Sequence, residues 1–151
     1  MSTSSASAPD AASRNATVRE LMSSMTIRAT PDDDVLDVVA LMVREGVRHL
    51  PIVDADDRVV GIVSDRDVRT AVGDPVTALE RSDETERDRW PVDEIMTSNP
   101  ICVPANASVD ELARELVDES IGAVPVIDDD GKLLGIVSYV DLLHFTYRRS
   151  P

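Results

Sequence analysis

Two serine residues of this chain are each followed, three positions later, by an aspartate at the expected start of a helix. The pairs are Ser64 with Asp67 and Ser138 with Asp141. A carboxylate can accept hydrogen bonds from both hydroxyl groups of a ribose, and the first turn of a helix directs backbone N–H groups towards a nearby phosphate. The same spacing is close to a capping box, which needs no ligand. The pattern by itself therefore leaves two interpretations open, a sugar-binding site and a pair of helix caps.

The two pairs belong to an internal repeat. A shift of 74 positions brings residue 18 onto residue 92, and the two halves then stay in register without a gap for about fifty residues. Residues 61–64 and 135–138 are identical in this alignment, and Pro51 lies on Pro125. The sequence therefore predicts two copies of one structural unit.

Each copy is predicted to fold as strand, helix, strand, strand, helix, from its apolar periodicity and its turn residues. The elements of the first copy are a strand at 27–29, a helix that starts after acidic residues 32–34 and ends at Gly46, a hairpin of strands 49–53 and 59–63, and a helix after Ser64. In the second copy, Ser108 caps a helix with Val109, Leu112, Leu116 and Val117 on its buried face, and strands 124–127 and 133–137 form the hairpin.

One copy is too small to cover its own sheet, so two copies are expected to pack together. The predicted fold class is α/β (α+β), with two units of order β-α-β-β-α related by a pseudo-twofold axis and packed sheet to sheet. A crevice between them is the expected place for a small-molecule site. The predicted organisation is a disordered tail at 1–16, a first unit at 17–72, a charged linker at 73–91 and a second unit at 92–149.

The composition argues against a nucleic-acid partner. The formal net charge is -14 and 3% of the residues are aromatic, so phosphates are repelled and few rings can stack on bases. Fourteen of the fifteen basic residues are arginine. We interpret this acidic surface as adapted to a salt-rich, halophilic cytosol, and an ordinary acidic protein from a GC-rich genome is the alternative.

Cellular location is expected to be cytoplasmic. Cys102 is the only cysteine, so the chain can form no intrachain disulfide and no cysteine-based zinc site. The apolar stretches are far shorter than the roughly 20 residues that cross a bilayer. The N-terminal residues lack the basic start and apolar core of a signal peptide. No membrane association is therefore expected.

The ordered motifs of the two copies resemble those of a known family. They are the openings Leu21-Met22 and Ile95-Met96-Thr97, the strands at 48–54 and 122–128, and the segments Gly61-Ile-Val-Ser-Asp-Arg-Asp67 and Gly135-Ile-Val-Ser-Tyr-Val-Asp141. With this set present twice, nearly everything from residue 18 to residue 147 resembles the tandem CBS (cystathionine-beta-synthase) domain pair, or Bateman module.

The resemblance implies a stand-alone regulatory module, not an enzyme. Such a module binds AMP, ADP, ATP or S-adenosylmethionine in the cleft between its two units, and energy sensing is the role that this ligand class suggests. It also implies a homodimer, and signalling to an effector protein through a conformational or dimer change. The alternative is a constitutive interaction or dimerisation scaffold. In that case the serine–aspartate pairs are only helix caps and no nucleotide binds.

Within the resemblance, ribose binding falls to Asp67 and Asp141 with Ser64 and Ser138. Positive charge for a phosphate is concentrated in the first copy, at Arg48, His49, Arg66 and Arg69. The second copy has Gly122, Ala123, Val140 and Leu143 at the equivalent positions. We therefore expect one site to hold a phosphorylated ligand better than the other. For the arginines, surface charges paired with the abundant aspartates are the alternative.

An adenine ring needs apolar walls and backbone groups. The candidate residues for this pocket are Ile27, Val47, Pro51, Ile101, Val124 and Pro125.

The remaining residues give little indication of metal binding or catalysis. His49 and His144 are too few for a metal site, and the aspartate-rich turns lack the spacing of an EF-hand. The sequence contains no P-loop, no dinucleotide fingerprint and no nucleophile beside a recognisable base. Cys102 is expected to be a small apolar residue in a strand. Neither a metal nor a catalytic cofactor is therefore expected.

Overall fold

The structure is a computed structural model that describes residues 16–24, 27–82 and 88–149. The predicted tail lies outside these residues except for Ala16, as do residues 83–87 of the predicted linker. The elements of the first half are α1 (Val18–Leu21), β1 (Ser23–Ser24), α2 (Val35–Glu45), β2 (His49–Val53), β3 (Val59–Ser64), α3 (Asp65–Val72) and α4 (Pro75–Arg81). After a 3₁₀ turn at Val92–Glu94 come β4 (Thr97–Ser98), β5 (Val103–Pro104), α5 (Val109–Asp118), β6 (Ala123–Ile127), β7 (Leu133–Ser138) and α6 (Tyr139–Arg149).

The helix boundaries follow the sequence signals. Helix α2 begins after Asp34, whose side chain accepts a hydrogen bond from the Leu36 N–H at 3.1 Å. It ends at Gly46, which adopts a left-handed conformation with φ of 66°. Ser108 caps α5 by accepting a bond from the Glu111 N–H at 3.0 Å. The predicted caps and the glycine stop are confirmed.

The strands form two sheets. One has the order β2-β3-β4 and the other the order β1-β7-β6-β5. Strand β4 pairs antiparallel with β3, and β1 pairs antiparallel with β7. The opening segment of each repeat therefore supplies an edge strand to the sheet that holds the hairpin of the other repeat.

The chain divides into two compact units whose composition reflects this exchange. The first-repeat unit contains residues 27–100 and 130–133, and the second-repeat unit contains residues 16–24, 101–129 and 134–149 among those described. The units thus differ in make-up from the sequence repeats, because the openings at 17–24 and 92–98 belong to the opposite unit. The boundaries at 17–72 and 92–149 describe the sequence repeats, and as domain boundaries they stay a prediction.

Each unit has an apolar core. In the second-repeat unit, Leu112 and Leu116 of α5 pack with Val18 of the exchanged opening and with Val124 and Val126 of β6. In the first-repeat unit, the buried apolar residues of α2 and of the hairpin strands include Val35, Val38, Val39, Met42, Leu50, Ile52 and Val63. Within the described ranges, none of the helices combines the length and the apolar content required to cross a bilayer.

Several local predictions were wrong. Val117 is 74% exposed, so it does not belong to the buried face of α5. Residues 27–29 form no strand, because Ala29 makes only an isolated bridge with Ile52. Cys102 is half-buried and precedes β5, and burial raises the pKa of its thiol. The bounds of the charged linker stay a prediction, and the helical turn that its sequence allows is present as helix α4, which packs against α2 and α3.

Two equivalent glycines let the exchanged strands approach closely. Gly135 is aligned with Ser24 of β1, and a Cβ at Gly135 would lie 2.5 Å from the carbonyl oxygen of Ser23. Gly61 is aligned with Ser98 of β4, and a Cβ there would collide with the Sδ of Met96. A methionine side chain can move aside, whereas a paired backbone carbonyl cannot move without disturbing the sheet.

We expect Gly135→Ala to lower the free energy of unfolding by about 1–3 kcal/mol, because the added methyl group must displace backbone. Gly61→Ala is the matched control, and it is expected to cost less because only a flexible thioether must move. Urea unfolding of both variants measures the difference. Equal losses would contradict the assignment of the backbone clash to Gly135.

Leu112→Ala is expected to lower the free energy of unfolding by about 2–5 kcal/mol, because it opens a cavity among fully buried side chains. Val117→Ala, on the same helix, is expected to change it by no more than about 0.5 kcal/mol, because Val117 is exposed. Chemical denaturation followed by circular dichroism compares the two. A large loss in Val117→Ala would show that this side chain is buried in solution.

Candidate functional site

Helix α3 starts directly from the end of β3, at the first serine–aspartate pair. The Ser64 N–H donates to Oδ2 of Asp67 at 2.8 Å, and the Asp67 N–H donates to Oγ of Ser64 at 3.1 Å. These reciprocal bonds form a capping box. Ser64 and Asp67 therefore cap helix α3, which is the second of the two interpretations of this spacing and needs no ligand.

The second pair repeats this geometry at the start of α6. The Ser138 N–H donates to Oδ2 of Asp141 at 2.8 Å, and the Asp141 N–H donates to Oγ of Ser138 at 3.2 Å. Oγ of Ser138 also lies 3.1 Å from the same Oδ2. In residues 16–24, 27–82 and 88–149, the hydrogen bonds to Asp67 and Asp141 side chains all end on Oδ2. The cap therefore uses one oxygen of each carboxylate, and Oδ1 keeps its lone pairs.

Asp67 lines a cavity of about 380 Å³ in the first-repeat unit. One wall is a face of α3, and the other is the segment that leads into the exchanged strand β4. The lining residues are Arg66, Asp67, Thr70, Ala71, Trp90, Glu94 and Ile95. The half-buried Trp90 is held at the start of α2 by its main chain: its N–H donates to Oδ1 of Asp34 at 2.9 Å, and its carbonyl oxygen accepts from the Val35 N–H at 2.8 Å.

Asp141 lines the equivalent cavity in the second-repeat unit, with a volume of about 230 Å³. Its walls are a face of α6 and helix α1, and the lining residues are Glu20, Leu21, Asp141, His144, Phe145 and Arg148. The 74-position shift places His144 on Thr70 and Phe145 on Ala71. Both of these side chains are larger in the second-repeat cavity.

The four candidate phosphate residues do not lie together. Arg66 lines the Asp67 cavity. Arg48 and Arg69 line a different hollow, of about 210 Å³, on the opposite face of α3. Nε of Arg69 lies 2.8 Å from Oδ2 of Asp65, so Arg69 is engaged in an ion pair. The structure therefore brings only Arg66 of these arginines to the cavity of Asp67.

His49 lies beside the start of α3, because it is aligned with Ser64 in the β2–β3 ladder. Burial lowers the pKa of its imidazole, and the positive charge of Arg48 lowers it further. The negative charges of Asp67 and Asp65 oppose this shift. The net effect favours a neutral His49, which can accept or donate a hydrogen bond but attracts a phosphate weakly.

The six candidate adenine residues line neither aspartate cavity. Pro51 and the equivalent Pro125 are buried in β2 and β6, as is Val124, and Val47 lines the hollow that contains Arg48. Ile27 and Ile101 are half-buried. Their assignment to an adenine pocket stays a prediction.

Sequence reasoning missed the cavity walls that come from the opening segments. These residues are Glu20, Leu21, Trp90, Glu94 and Ile95, together with His144, Phe145 and Arg148 on α6. A signal was present, since the repeat alignment places Glu20 on Glu94 and Leu21 on Ile95. The alignment does not reveal which helix each opening segment contacts.

A family model of the CBS domain matches residues 18–74 and 92–147, which together make up most of the chain. The chain belongs to the CBS domain family. Among curated proteins, a CBS domain-containing protein of Dictyostelium discoideum is 32% identical over 127 residues, which cover 83% of this chain and 88% of that protein. The CBS pair spans only about a fifth of other relatives, such as the inosine-5'-monophosphate dehydrogenase of Methanocaldococcus jannaschii, of which it covers 21% at 29% identity.

Solved CBS-pair structures have the same fold. CBSX2, a CBS-pair protein of Arabidopsis thaliana, has been solved in complex with AMP, and that structure matches with a TM-score of 0.72 and 28% identity, covering 87% of this chain and 96% of that one. The CBS domain pair of protein MJ0100, in complex with 5'-methylthioadenosine and S-adenosyl-L-methionine, matches with a TM-score of 0.74 and 25% identity over 89% of this chain and 98% of that one. The mixed α and β fold predicted from the repeat is therefore confirmed.

We expect the stability of the protein to fall as the pH decreases from about 7 to 5, in part because of His49. The folded state lowers the pKa of this imidazole, so below the reference value of 6.5 the unfolded chain takes up the proton more readily and gains stability. His49→Asn should show a shallower slope in this window. Urea midpoints measured at each pH give both slopes.

The same variant provides its own control above pH 8, where the two stability curves should run parallel. Asp74 does not interfere, because the Thr77 hydrogen bonds lower the pKa of its carboxyl from 3.8 and its effect lies at more acidic pH. An unchanged slope between about pH 5 and 7 in His49→Asn would show that this imidazole titrates alike in the folded and unfolded chain.

Proposed function

We propose that this CBS pair is a regulatory module that binds an adenosine-containing ligand, with AMP, ADP, ATP and S-adenosylmethionine as the candidates. The observation that carries the proposal is the position of Asp67, whose Oδ2 caps α3 while its side chain lines a cavity of about 380 Å³. Small-molecule pockets generally have volumes of about 300–1,000 Å³. In this proposal Oδ1 of Asp67 accepts the hydrogen bonds of the ribose hydroxyls.

In this proposal a phosphate group of the ligand binds Arg66 in the same cavity. Arg66 stands next to Asp67 in the first turn of α3, where the helix dipole also favours an anion. Local positive charge is needed here because the chain as a whole carries a net charge of -14. We assign the phosphate to Arg66 rather than to Arg69, whose guanidinium is held by Asp65.

The Asp141 cavity is the second candidate site of the proposal. It has the same acidic residue at the helix start, and it offers His144 and Arg148 as positively charged or hydrogen-bonding groups. At about 230 Å³ it is smaller than the Asp67 cavity.

The relatives support this class of ligand. CBSX2 has been solved with AMP, and the MJ0100 pair with 5'-methylthioadenosine and S-adenosyl-L-methionine. All three compounds contain an adenosine unit, so the shared requirement is recognition of adenine and ribose. Regulation then requires that the ligand binds one conformation or one assembly of the module more tightly than another, and that an effector protein detects the difference.

We expect at least one of AMP, ADP, ATP or S-adenosylmethionine to stabilise the protein, by about 2.7 kcal/mol when present at a hundredfold excess over its dissociation constant. Asp67→Asn should weaken binding at the first-repeat cavity by at least about tenfold, because it removes the charged acceptor of the ribose but can still cap the helix. Calorimetry and thermal shift, at low and at high salt, measure both effects. Glu80→Gln, an exposed charge change on α4, is the matched control.

The arginine variants separate sugar recognition from phosphate recognition. Arg66→Ala should weaken AMP or ATP binding and leave adenosine binding unchanged, whereas Arg48→Ala should leave both close to wild type. Equal losses for adenosine and ATP in Arg66→Ala would contradict its assignment to the phosphate. A selective loss in Arg48→Ala would restore that residue to the site.

A constitutive scaffold is the second candidate function. The complete capping boxes at α3 and α6 favour it, because they give Ser64, Asp67, Ser138 and Asp141 a structural role without any ligand. The same titrations separate the two functions. If none of the four compounds binds or stabilises the wild-type chain at either salt concentration, the scaffold is the better description.

A further inference from the structure

Two oppositely charged side chains line the Asp67 cavity without pairing with each other. Arg66 stands on the α3 wall, and Glu94 stands on the other wall, at the end of the 3₁₀ turn Val92–Glu94. Both residues are exposed. Within the described part of the chain, neither side chain makes a hydrogen bond or an ion pair. The cavity therefore presents a cation and an anion to a ligand that binds beside Asp67.

The repeat alignment explains why the carboxylate of Glu94 is available. Glu94 is equivalent to Glu20, whose Oε2 accepts a hydrogen bond from the Thr17 N–H at 2.8 Å. Pro91 lies at the position of Thr17, and proline has no N–H to donate. Glu94 therefore cannot make the capping bond that occupies its equivalent in the second-repeat cavity.

The guanidinium at this position is also specific to the first repeat. Arg66 is aligned with Val140, which carries no charge. The Asp141 cavity has its basic side chains, His144 and Arg148, further along α6. The two cavities thus share the aspartate at the helix start but differ in the charges around it, which indicates that they suit different ligands.

The charges of the Asp67 cavity are unfavourable for a phosphate chain. The lining contains two carboxylates, of Asp67 and Glu94, and one guanidinium, of Arg66. A phosphate ester carries a charge of about -1.5 to -2 at neutral pH, so a phosphate on Arg66 is repelled by Glu94 in the same cavity. Every further phosphate adds repulsion, and the net charge of -14 on the chain adds to it.

A zwitterion suits the same two side chains. The free end of an amino acid has an α-carboxylate and an α-ammonium on one carbon atom. A guanidinium binds a carboxylate bidentately, and a carboxylate binds an ammonium through charge-assisted hydrogen bonds. Arg66 and Glu94 supply one group of each kind, while Asp67 keeps Oδ1 for the ribose. Complementary charges of this kind determine which ligand is preferred.

We propose that the Asp67 cavity selects adenosine compounds whose 5' sulfur carries an amino acid, of the S-adenosylmethionine class, over adenosine phosphates. Arg66 binds the α-carboxylate, Glu94 binds the α-ammonium, and Asp67 binds the ribose. Glu94 is the residue that determines the preference, because a bound AMP can use Arg66 but leaves Glu94 without a partner. The inference rests on the proposed function, since it requires an adenosine in this cavity, and it narrows the ligand class of that proposal.

The test compares two compounds that share an adenosine and an uncharged sulfur. S-adenosylhomocysteine has the amino-acid end, and 5'-methylthioadenosine has a methyl group instead. Calorimetry with the full chain gives the dissociation constants of both, of S-adenosylmethionine and of AMP. We expect the two amino-acid compounds to bind at least about tenfold more tightly than 5'-methylthioadenosine or AMP, because only they satisfy both charged side chains.

Glu94→Gln is expected to weaken S-adenosylhomocysteine binding by at least about tenfold and to leave 5'-methylthioadenosine binding unchanged. Asp93→Asn is the matched control, because it removes the same charge from the same exposed 3₁₀ turn at a residue outside the cavity lining. It should bind like the wild type. Glu94→Lys should reverse the preference, since it places two cations in the cavity and favours AMP. Glu94 is exposed, so neither substitution should unfold the chain.

The preference is refuted if S-adenosylhomocysteine binds no more tightly than 5'-methylthioadenosine or AMP. The role of Glu94 is refuted if Glu94→Gln leaves S-adenosylhomocysteine binding unchanged, or if Asp93→Asn weakens it equally, because only the overall charge would then matter. In each of these cases an adenosine compound still binds, so the proposed function stands. If none of the four compounds binds, the proposed function fails and this inference fails with it.

Discussion

One hydrogen bond, present in both repeats, connects the fold to the candidate sites. The N–H of the serine that ends the hairpin donates to Oδ2 of the aspartate three residues later, at 2.8 Å in each case. This bond fixes the direction in which the last helix leaves the sheet, and it orients the carboxylate beside a cavity. Capping and ligand binding are compatible because a carboxylate has two oxygens and about four lone-pair sites. The same side chain can therefore stabilise the helix, typically by about 1 kcal/mol, and accept a ligand.

The exchange of opening segments has consequences for both stability and the sites. Strands β1 and β4 each complete a sheet that belongs to the other repeat, and the segments that lead to them supply the second wall of each cavity. A single repeat would lack both an edge strand and half of its cavity. The glycines at 61 and 135 keep the strands close enough to pair. The sheets and the cavities therefore depend on the same two exchanged segments.

Local features of this chain could be predicted from sequence, and features that depend on distant segments could not. The helix at Val35–Glu45 and the hairpins follow from apolar periodicity, caps and turn residues, which are properties of neighbouring positions. The exposure of Val117 depends on what packs against α5, and periodicity does not report that. The arginines show the same limit. Arg66 and Arg69 are close in sequence, but Arg66 shares a helix face with Thr70 and Arg69 shares one with Asp65, so they line different surfaces.

Because the two repeats share one register, a difference at an equivalent position indicates a difference in use. The cavities beside α3 and α6 both contain the helix-start aspartate, but their linings differ, with Thr70 and Ala71 in one and His144 and Phe145 in the other. The opposite faces differ more, since one is covered by α4 and the other is exposed. Helix α6 thus has Asp141, His144 and Arg148 at the cavity and the exposed Tyr139 and Leu143 on another face. A ligand can regulate an effector only if its affinity differs between two conformations or assemblies of the module.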